Sequence, residues 1–521
     1  MQISYPFNNF YSIIENNAKI APNKNIIYEN NLKISNLEFR RLVDALAEFL
    51  YNREIKPLDK IAIVMSNSWQ FVVTLFAISK VGAIAVPVNN FLKEDELAYI
   101  LNDAQAKVLF SSFKFAQETQ NLYKKTDVEF TIWVDGCPLE NDKNIDYAKL
   151  LNIGKLPRNA IVTNINDTAL IVYTSGTTGR PKGAMLSFKN IFSNCEGCKA
   201  LMKLKNGQVR LLCYLPMFHV FTLTVTIMLP IYTSSAIIII RSLSGIKDFK
   251  YLLKQLLFKR CPYFTGVPDI YSAMTKANLP WYFHWFHNVT GFISGAAPLA
   301  TEIHKKFTQK FKRGMLLEGY GISECSPIIS CNTPTSSRVG SVGQPIGGYL
   351  VKIFDESMHE VPLGNIGEIC VKGDCVMQGY FNRPVDTANA IIDGWFKTGD
   401  IGKVDNDGYI YIVDRIKDLI IHKGMNIYPR EIEEVLYAHN KIQACAVIGE
   451  KDKEDNEIPI AYIELKENEV ANEYEIKEFA KAQLAAFKLP RRIIFIKKLP
   501  RNATGKILKR ELRELHKQAY I

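Results

Sequence analysis

The sequence predicts an α/β protein: a large N-terminal domain of parallel sheets flanked by helices, with a small β unit, followed by a smaller α+β C-terminal domain. Three observations carry this. The first third alternates buried-strand and helix signals, as repeated strand–helix–strand units do when they build parallel sheet. From about Val342 to Val413 the pattern changes to short strands separated by Gly, Asp and Asn turns. After Asp414 comes a tail of roughly a hundred residues, the size of one small domain. The predicted domains are therefore 1–413 and 414–521.

The elements follow in order. Ser35-Asn36-Leu37-Glu38 has a capping-box pattern, and Leu42, Val43, Leu46, Phe49 and Leu50 continue at helical spacing. Ile61 to Val64 reads as a buried strand, Trp69 to Lys80 as a largely buried helix and Gly82 to Val86 as another strand. Glu94 to Asn102 reads as a short helix and Val108 to Phe110 as a strand. Leu211 to Ile240 contains no Lys, Arg, Asp or Glu. Length alone would allow a membrane span, but Pro216, His219, Pro230 and Thr233-Ser234-Ser235 break the run. A buried helix followed by a buried strand is expected there.

Composition is that of an ordinary globular chain, with 47% hydrophobic and 22% charged residues, which argues against wholesale disorder. Lys and Arg number 64 against 53 Asp and Glu, a net charge of +11 that suits anionic ligands or an anionic membrane surface. No zinc-finger spacing or RNP-type aromatic motif points to nucleic acid. The first residues show no basic segment followed by an apolar one, so no secretory signal is expected. Ten scattered cysteines fit a reducing cytosol. The single C-x-x-C, Cys195 to Cys198, is read as structural, because no second pair stands at zinc-site spacing.

Chemistry concentrates in Tyr173-Thr174-Ser175-Gly176-Thr177-Thr178-Gly179-Arg180-Pro181-Lys182-Gly183, directly after the apolar run Ala169 to Val172. Glycines let backbone N–H groups turn toward an anion, hydroxyls add donors and a lysine adds charge. The segment is a phosphate cradle, but not a Walker A loop, because Lys182 lies between Pro181 and Gly183.

Four more motifs follow: Gly319-Tyr320-Gly321-Ile322-Ser323-Glu324, Lys397-Thr398-Gly399-Asp400, Asp414-Arg415-Ile416-Lys417-Asp418 and Asn502-Ala503-Thr504-Gly505-Lys506. The ordered series resembles the adenylate-forming superfamily of acyl-CoA synthetases, luciferases and nonribosomal adenylation domains, over nearly the whole chain. The resemblance implies activation of a carboxylate by ATP to an acyl-adenylate, with release of pyrophosphate and transfer to a thiol. It implies that Thr174 to Gly179 and Lys182 hold the β- and γ-phosphates, and that Thr174 and Glu324 meet Mg²⁺. Asp400 would accept the ribose hydroxyls, with Arg415 assisting at ribose or phosphate. Gly295, Ala296, Tyr320, Gly321 and Ser323 would line the adenine and acyl pockets. Lys506, on a mobile C-terminal domain, would reach the reacting carboxylate and α-phosphate as the main catalytic residue. Asp414 and Lys417 would form the hinge, and pivoting there would bring the loop of Gly424 to a thiol channel.

Pro216-Met217-Phe218-His219 resembles the segment beside the acyl pocket of fatty acyl-CoA synthetases. His219 either shapes the acyl or thiol channel or is a packing histidine, and Leu223 stands where some long-chain relatives carry an aromatic gate. The resemblance favours a medium- or long-chain fatty acid, with coenzyme A as acceptor and an acyl carrier protein as the alternative. A non-catalytic acyl or nucleotide binder is the rival of another class. Many basic residues between Lys488 and Lys517, against only Glu511 and Glu514, offer a face for coenzyme phosphates or an acidic carrier. A cytosolic enzyme, or one held loosely at the inner membrane face, is expected.

Overall fold

The computed structural model describes residues 5–151, 157–174, 180–243, 245–452, 456–501 and 505–519. Its largest sheet has eight strands in the order Gly379–Tyr380, Lys182–Ser187, Thr168–Thr174, Ile84–Pro87, Lys60–Val64, Ala106–Ser112, Phe130–Val134, Asn144–Asp146. Pairing is parallel from Thr168–Thr174 through Asn144–Asp146. The other edge is antiparallel, because the glycine-rich segment reverses the chain and returns Lys182–Ser187 beside Thr168–Thr174. The strand–helix alternation predicts parallel sheet, and this antiparallel edge of Lys182–Ser187 and Gly379–Tyr380 is an addition to it.

Strand periodicity sorts the core. Ile61 and Ile63 pack with residues of helices Asn36–Asn52 and Trp69–Lys80, whereas Ala62 and Val64 pack with Leu97 and Leu101 of helix Glu94–Ala104. Ser35 caps the first helix by accepting from the Glu38 N–H, and Ser68 caps the second from Phe71. Trp69–Lys80 is apolar nearly all round and is buried accordingly. Its Lys80, also buried, is compensated by Asp44 at 2.6 Å.

A second sheet orders Tyr263–Gly266, Gly291–Ser294, Met315–Gly321, Ile328–Cys331 and Gln344–Pro345, the first three parallel. The uncharged run forms strand Arg210–Cys213, a π-helical segment Thr222–Met228 continuing as helix Leu229–Tyr232, and strand Ala236–Ile239. Among the described residues no helix is long and apolar enough to cross a membrane. Cys195 and Cys198 are buried in helix Phe188–Leu201, as a structural role requires.

The β unit pairs Tyr349–Phe354, Gly367–Gly373 and Trp395–Val404, and the last of these also pairs with Ile410–Arg415. Beyond it, strands Ile442–Lys451, Glu457–Leu465 and Arg492–Phe495 carry helices Pro429–Tyr437, Glu473–Lys481 and Lys509–Ala519. Ile432, Leu436, Val447, Ile463 and Ile476 form the core of this smaller unit.

Candidate functional site

The site gathers at the ends of strands from both large sheets. Thr174 ends its strand and lies in register opposite Lys182, so the two anchors of the cradle face each other. Ser175, Gly176, Thr177, Thr178 and Gly179 lie outside the described residues. Thr174 Oγ1 donates to Glu324 Oε1 at 3.1 Å, and the Tyr380 hydroxyl donates to the same oxygen at 3.0 Å. Glu324 sits in the short turn Ser323–Cys325, which follows directly from the Gly-Tyr-Gly strand end. Gly321 is obligatory there, since a Cβ would fall 2.0 Å from the Pro327 carbonyl oxygen. Lys182 Nζ lies 2.6 Å from Asp386 Oδ1.

Asp400 is buried, and both of its oxygens are engaged: Tyr320 Oη donates to Oδ2 at 2.6 Å, and Arg415 Nε stands 3.0 Å from Oδ1. Asp400 and Arg415 are direct cross-strand partners. The preceding Gly399 has φ +72°, a conformation a side chain would strain. Burial, reinforced by the Asp400 carboxylate, pushes the Tyr320 phenol well above its ordinary range.

Gly295 and Ala296 follow strand Gly291–Ser294, beside Gly319 of the neighbouring strand, and Ala296 is itself left-handed at φ +66°. A Cβ built on Gly295 would lie 3.7 Å from the Gly319 carbonyl oxygen, an ordinary contact, and meets no other non-neighbouring atom within 4 Å among the described residues.

Lys506 is brought into this group from the far end of the chain. Burial pushes its ammonium down to about 7, helped by Arg415 and Lys417 and opposed by Asp400 and Asp418. Burial, with Lys506 nearby, likewise pushes the His219 imidazole down to about 4, so His219 is neutral at pH 7. The segment carrying Lys506 rests on Asp269, at the start of helix Pro268–Lys276. A Cβ on Gly505 would lie 3.0 Å from Asp269 Oδ2, and Arg501 Nε lies 3.7 Å from the same oxygen.

Asp414 accepts from the backbone N–H groups of Arg415 and Arg430 at 2.7 and 2.8 Å. Beside it, Asp418 is held by Arg513 at 2.7 Å and Lys417 is exposed. Gly424 stands apart, at the tip of hairpin Ile420–His422/Met425–Ile427 with φ +77° and open space around it. The structure therefore unites Thr174, Lys182, Glu324, Tyr320, Asp400, Arg415, His219 and Lys506, and leaves Gly424 outside.

Several residues here carry no sequence signal. Tyr380 and Asp386 approach because Gly379–Tyr380 pairs with Lys182–Ser187. Glu318 is buried, and burial pushes its carboxyl up to about 7, resisted by Arg430 and reinforced by Glu434. Five of the basic residues from Lys488 onward meet acids on other elements: Lys488 with Glu431, Arg492 with Glu450, Arg501 with Glu464, Lys509 with Glu433 and Arg513 with Asp418.

A narrow apolar slot of about 40 Å³ adjoins the strand ends, lined by Leu201, Phe221, Val225, Leu229, Ile293 and Ile328 among others, with no charged group. Phe221 is two residues past His219, Ile293 two before Gly295, and Ile328 pairs with Gly321. A separate cavity of about 560 Å³, lined by Lys276, Lys306, Lys310 and Lys466, lies where helices Pro268–Lys276 and Thr301–Lys310 meet the smaller unit.

Known proteins bear on this arrangement. The family profile of AMP-binding enzymes matches residues 14–381, and that of the AMP-binding enzyme C-terminal domain matches 431–506. A long-chain-fatty-acid–CoA ligase of Bacillus subtilis (strain 168) is 34% identical over 543 aligned residues, covering 98% of this chain and 95% of its own. A feruloyl-CoA synthase of Amycolatopsis sp is 32% identical over 95% of this chain and 96% of its own. The crystal structure of ATP-bound MatB from Rhodopseudomonas palustris superposes with a TM-score of 0.90 at 29% identity, covering 99% of this chain and all of the other. The chain thus belongs to the AMP-binding enzyme family, among its adenylate-forming acyl-CoA ligases.

Proposed function

We propose that this ligase activates a medium- or long-chain fatty acid and delivers it to coenzyme A. The carrying observation is the slot lined by Phe221, Val225, Leu229, Ile293 and Ile328, which is apolar and offers no charge to a polar substrate. Phe221 and Ile293 are two residues from His219 and Gly295 in the chain, and Ile328 pairs with Gly321. Being narrow, it seats a chain only when its lining side chains rearrange. The long-chain ligase of Bacillus subtilis supports the same reading, whereas the feruloyl relative marks an aromatic acid as the alternative substrate class.

In this reading Lys182 and the loop after Thr174 hold the β- and γ-phosphates, and Asp400 and Arg415 hold the ribose and the adjoining phosphate. Thr174 and Glu324 present hard oxygens close enough to share one small cation, a donor set that suits Mg²⁺ completed by phosphate oxygens. When bound, Mg²⁺ would neutralise charge on the departing pyrophosphate. Lys506 binds the fatty carboxylate and α-phosphate and stabilises the negative charge that develops between them. His219, uncharged and beside Lys506, shapes the acyl or thiol channel without competing for the anion.

We place the domain division at 413/414 and the pivot at Asp414 to Lys417. The observed arrangement, with Lys506 in the site and Gly424 outside, suits adenylation; rotation would exchange them for thiol transfer. Free cysteines, nearly all buried, support a reducing cytosolic setting.

Pyrophosphate release with Mg-ATP and coenzyme A, across acids from acetate to oleate and including ferulate, tests this. Turnover rising with chain length and yielding AMP and acyl-CoA is expected. Turnover with ferulate alone would overturn the fatty-acid assignment, and a single stoichiometric release would overturn coenzyme A as acceptor.

A further inference from the structure

Helix Trp281–Phe286 buries only Phe283, which packs against Phe311. Trp281, Tyr282, Trp285 and Phe286 are 71%, 45%, 66% and 63% exposed, four large rings on one and a half turns. Helix Ile246–Phe258 touches this helix and ends in Phe258, itself 71% exposed. Apolar surface gathered this densely marks an interaction site, unlike rings scattered singly.

The surroundings define the partner's charge. Residues 249–268, between Asp248 and Asp269, include Lys250, Lys254, Lys259 and Arg260. Residues 303–317, between Glu302 and Glu318, include five basic side chains. Of these, Lys306 pairs with Glu302 and Lys310 bonds the carbonyls of Met274, Thr275 and Ala277, leaving Lys305, Lys312 and Arg313. Arg313 donates to the Trp285 carbonyl, which places one of these cations at the rings. Exposed indoles and a phenol, rings with an apolar body and a polar tip, with Arg313 beside them and further cations on the adjoining segments, match the headgroup region of a negatively charged bilayer.

Position fits as well. The patch borders the starts of parallel strands Tyr263–Gly266, Gly291–Ser294 and Met315–Gly321, and Met315 is also exposed. Gly295, Ala296, Gly319 and Gly321 follow from or lie at the opposite ends of those strands. A surface contact there leaves the site facing away and accessible.

We propose that helix Trp281–Phe286, with Phe258 and the cations around it, docks the enzyme on anionic lipid. The proposal is independent of which acid is activated. It is tested by co-sedimenting the full chain with vesicles of phosphatidylcholine alone or mixed with phosphatidylglycerol. The native chain should pellet with the mixed vesicles and far less with the neutral ones. Trp281→Ser with Trp285→Ser should weaken binding at least about tenfold. Lys312→Glu with Arg313→Glu should remove the preference for phosphatidylglycerol. Both variants should keep native pyrophosphate exchange, which certifies the fold. A native chain that stays in solution with both vesicles, or a tryptophan variant that pellets equally, overturns the proposal. So does self-association through these rings without lipid binding, which would make the patch a contact between protein chains.

Discussion

Arg415 Nε stands 3.0 Å from Asp400 Oδ1, directly across a strand pair, while Tyr320 occupies the other carboxylate oxygen. Each carboxylate oxygen can accept more than one hydrogen bond, so the pair orients Asp400 without closing it to a ribose. Asp400→Asn should weaken ATP binding by about 10- to 100-fold, the scale of one or two charge-assisted hydrogen bonds. It should also lower stability by about 1–3 kcal/mol, because Arg415 loses its partner while remaining part solvated. Nucleotide titration and urea unfolding read the two effects; unchanged ATP affinity would remove Asp400 from the ribose site.

Glu324 accepts from both Thr174 and Tyr380. Glu324→Gln keeps the shape but removes the charge a divalent cation needs. Adenylation should fall by about 10²-fold at ordinary Mg²⁺ and recover in part as Mg²⁺ is raised. A Mg²⁺ titration of pyrophosphate exchange checks this, and an unaltered Mg²⁺ dependence would contradict the assigned role.

Lys182 is held by Asp386 at 2.6 Å, so incoming phosphates compete with a carboxylate. Asp386→Asn should therefore tighten ATP binding a few-fold, whereas Lys182→Ala should weaken it by about tenfold or more. Opposite signs in the two variants are the signature to seek by equilibrium titration. Equal losses would mean that Asp386 assists the nucleotide.

The depressed Lys506 ammonium gives a pH signature. Burial beside Arg415 and Lys417 holds it down to about 7 in the ligand-free protein, and a bound triphosphate favours the protonated form and raises it. Nucleotide binding then takes up a proton between those two values. Affinity should be greatest and flat below about pH 7 and decline as pH rises above it. Calorimetry in buffers of different ionisation enthalpy should detect the uptake near pH 8, and Lys506→Met should abolish it.

What the sequence revealed follows from how local each signal is. Thr174, Glu324, Asp400 and Lys506 stand in compact motifs whose glycines shape the backbone, so they were legible one motif at a time. Strand Lys60–Val64 and helix Trp69–Lys80 were legible because their burial pattern is continuous. Tyr380 and Asp386 were not, since their approach depends on a pairing between segments about two hundred residues apart in sequence. The basic run from Lys488 looked unopposed for the same reason: its acids, Glu431, Glu433, Asp418, Glu450 and Glu464, lie on other elements. The exposed rings of Trp281–Phe286 were equally silent, because an aromatic cluster in sequence does not show which rings the core leaves out.

The most direct measurement separates the two half-reactions in Lys506→Ala, comparing ATP–pyrophosphate exchange with thioester formation from supplied acyl-adenylate. Exchange should fall by about 10²-fold or more, the scale of a lost transition-state contact, while thioester formation stays near native. Equal loss in both half-reactions, or none in exchange, would contradict the role of Lys506 in adenylation.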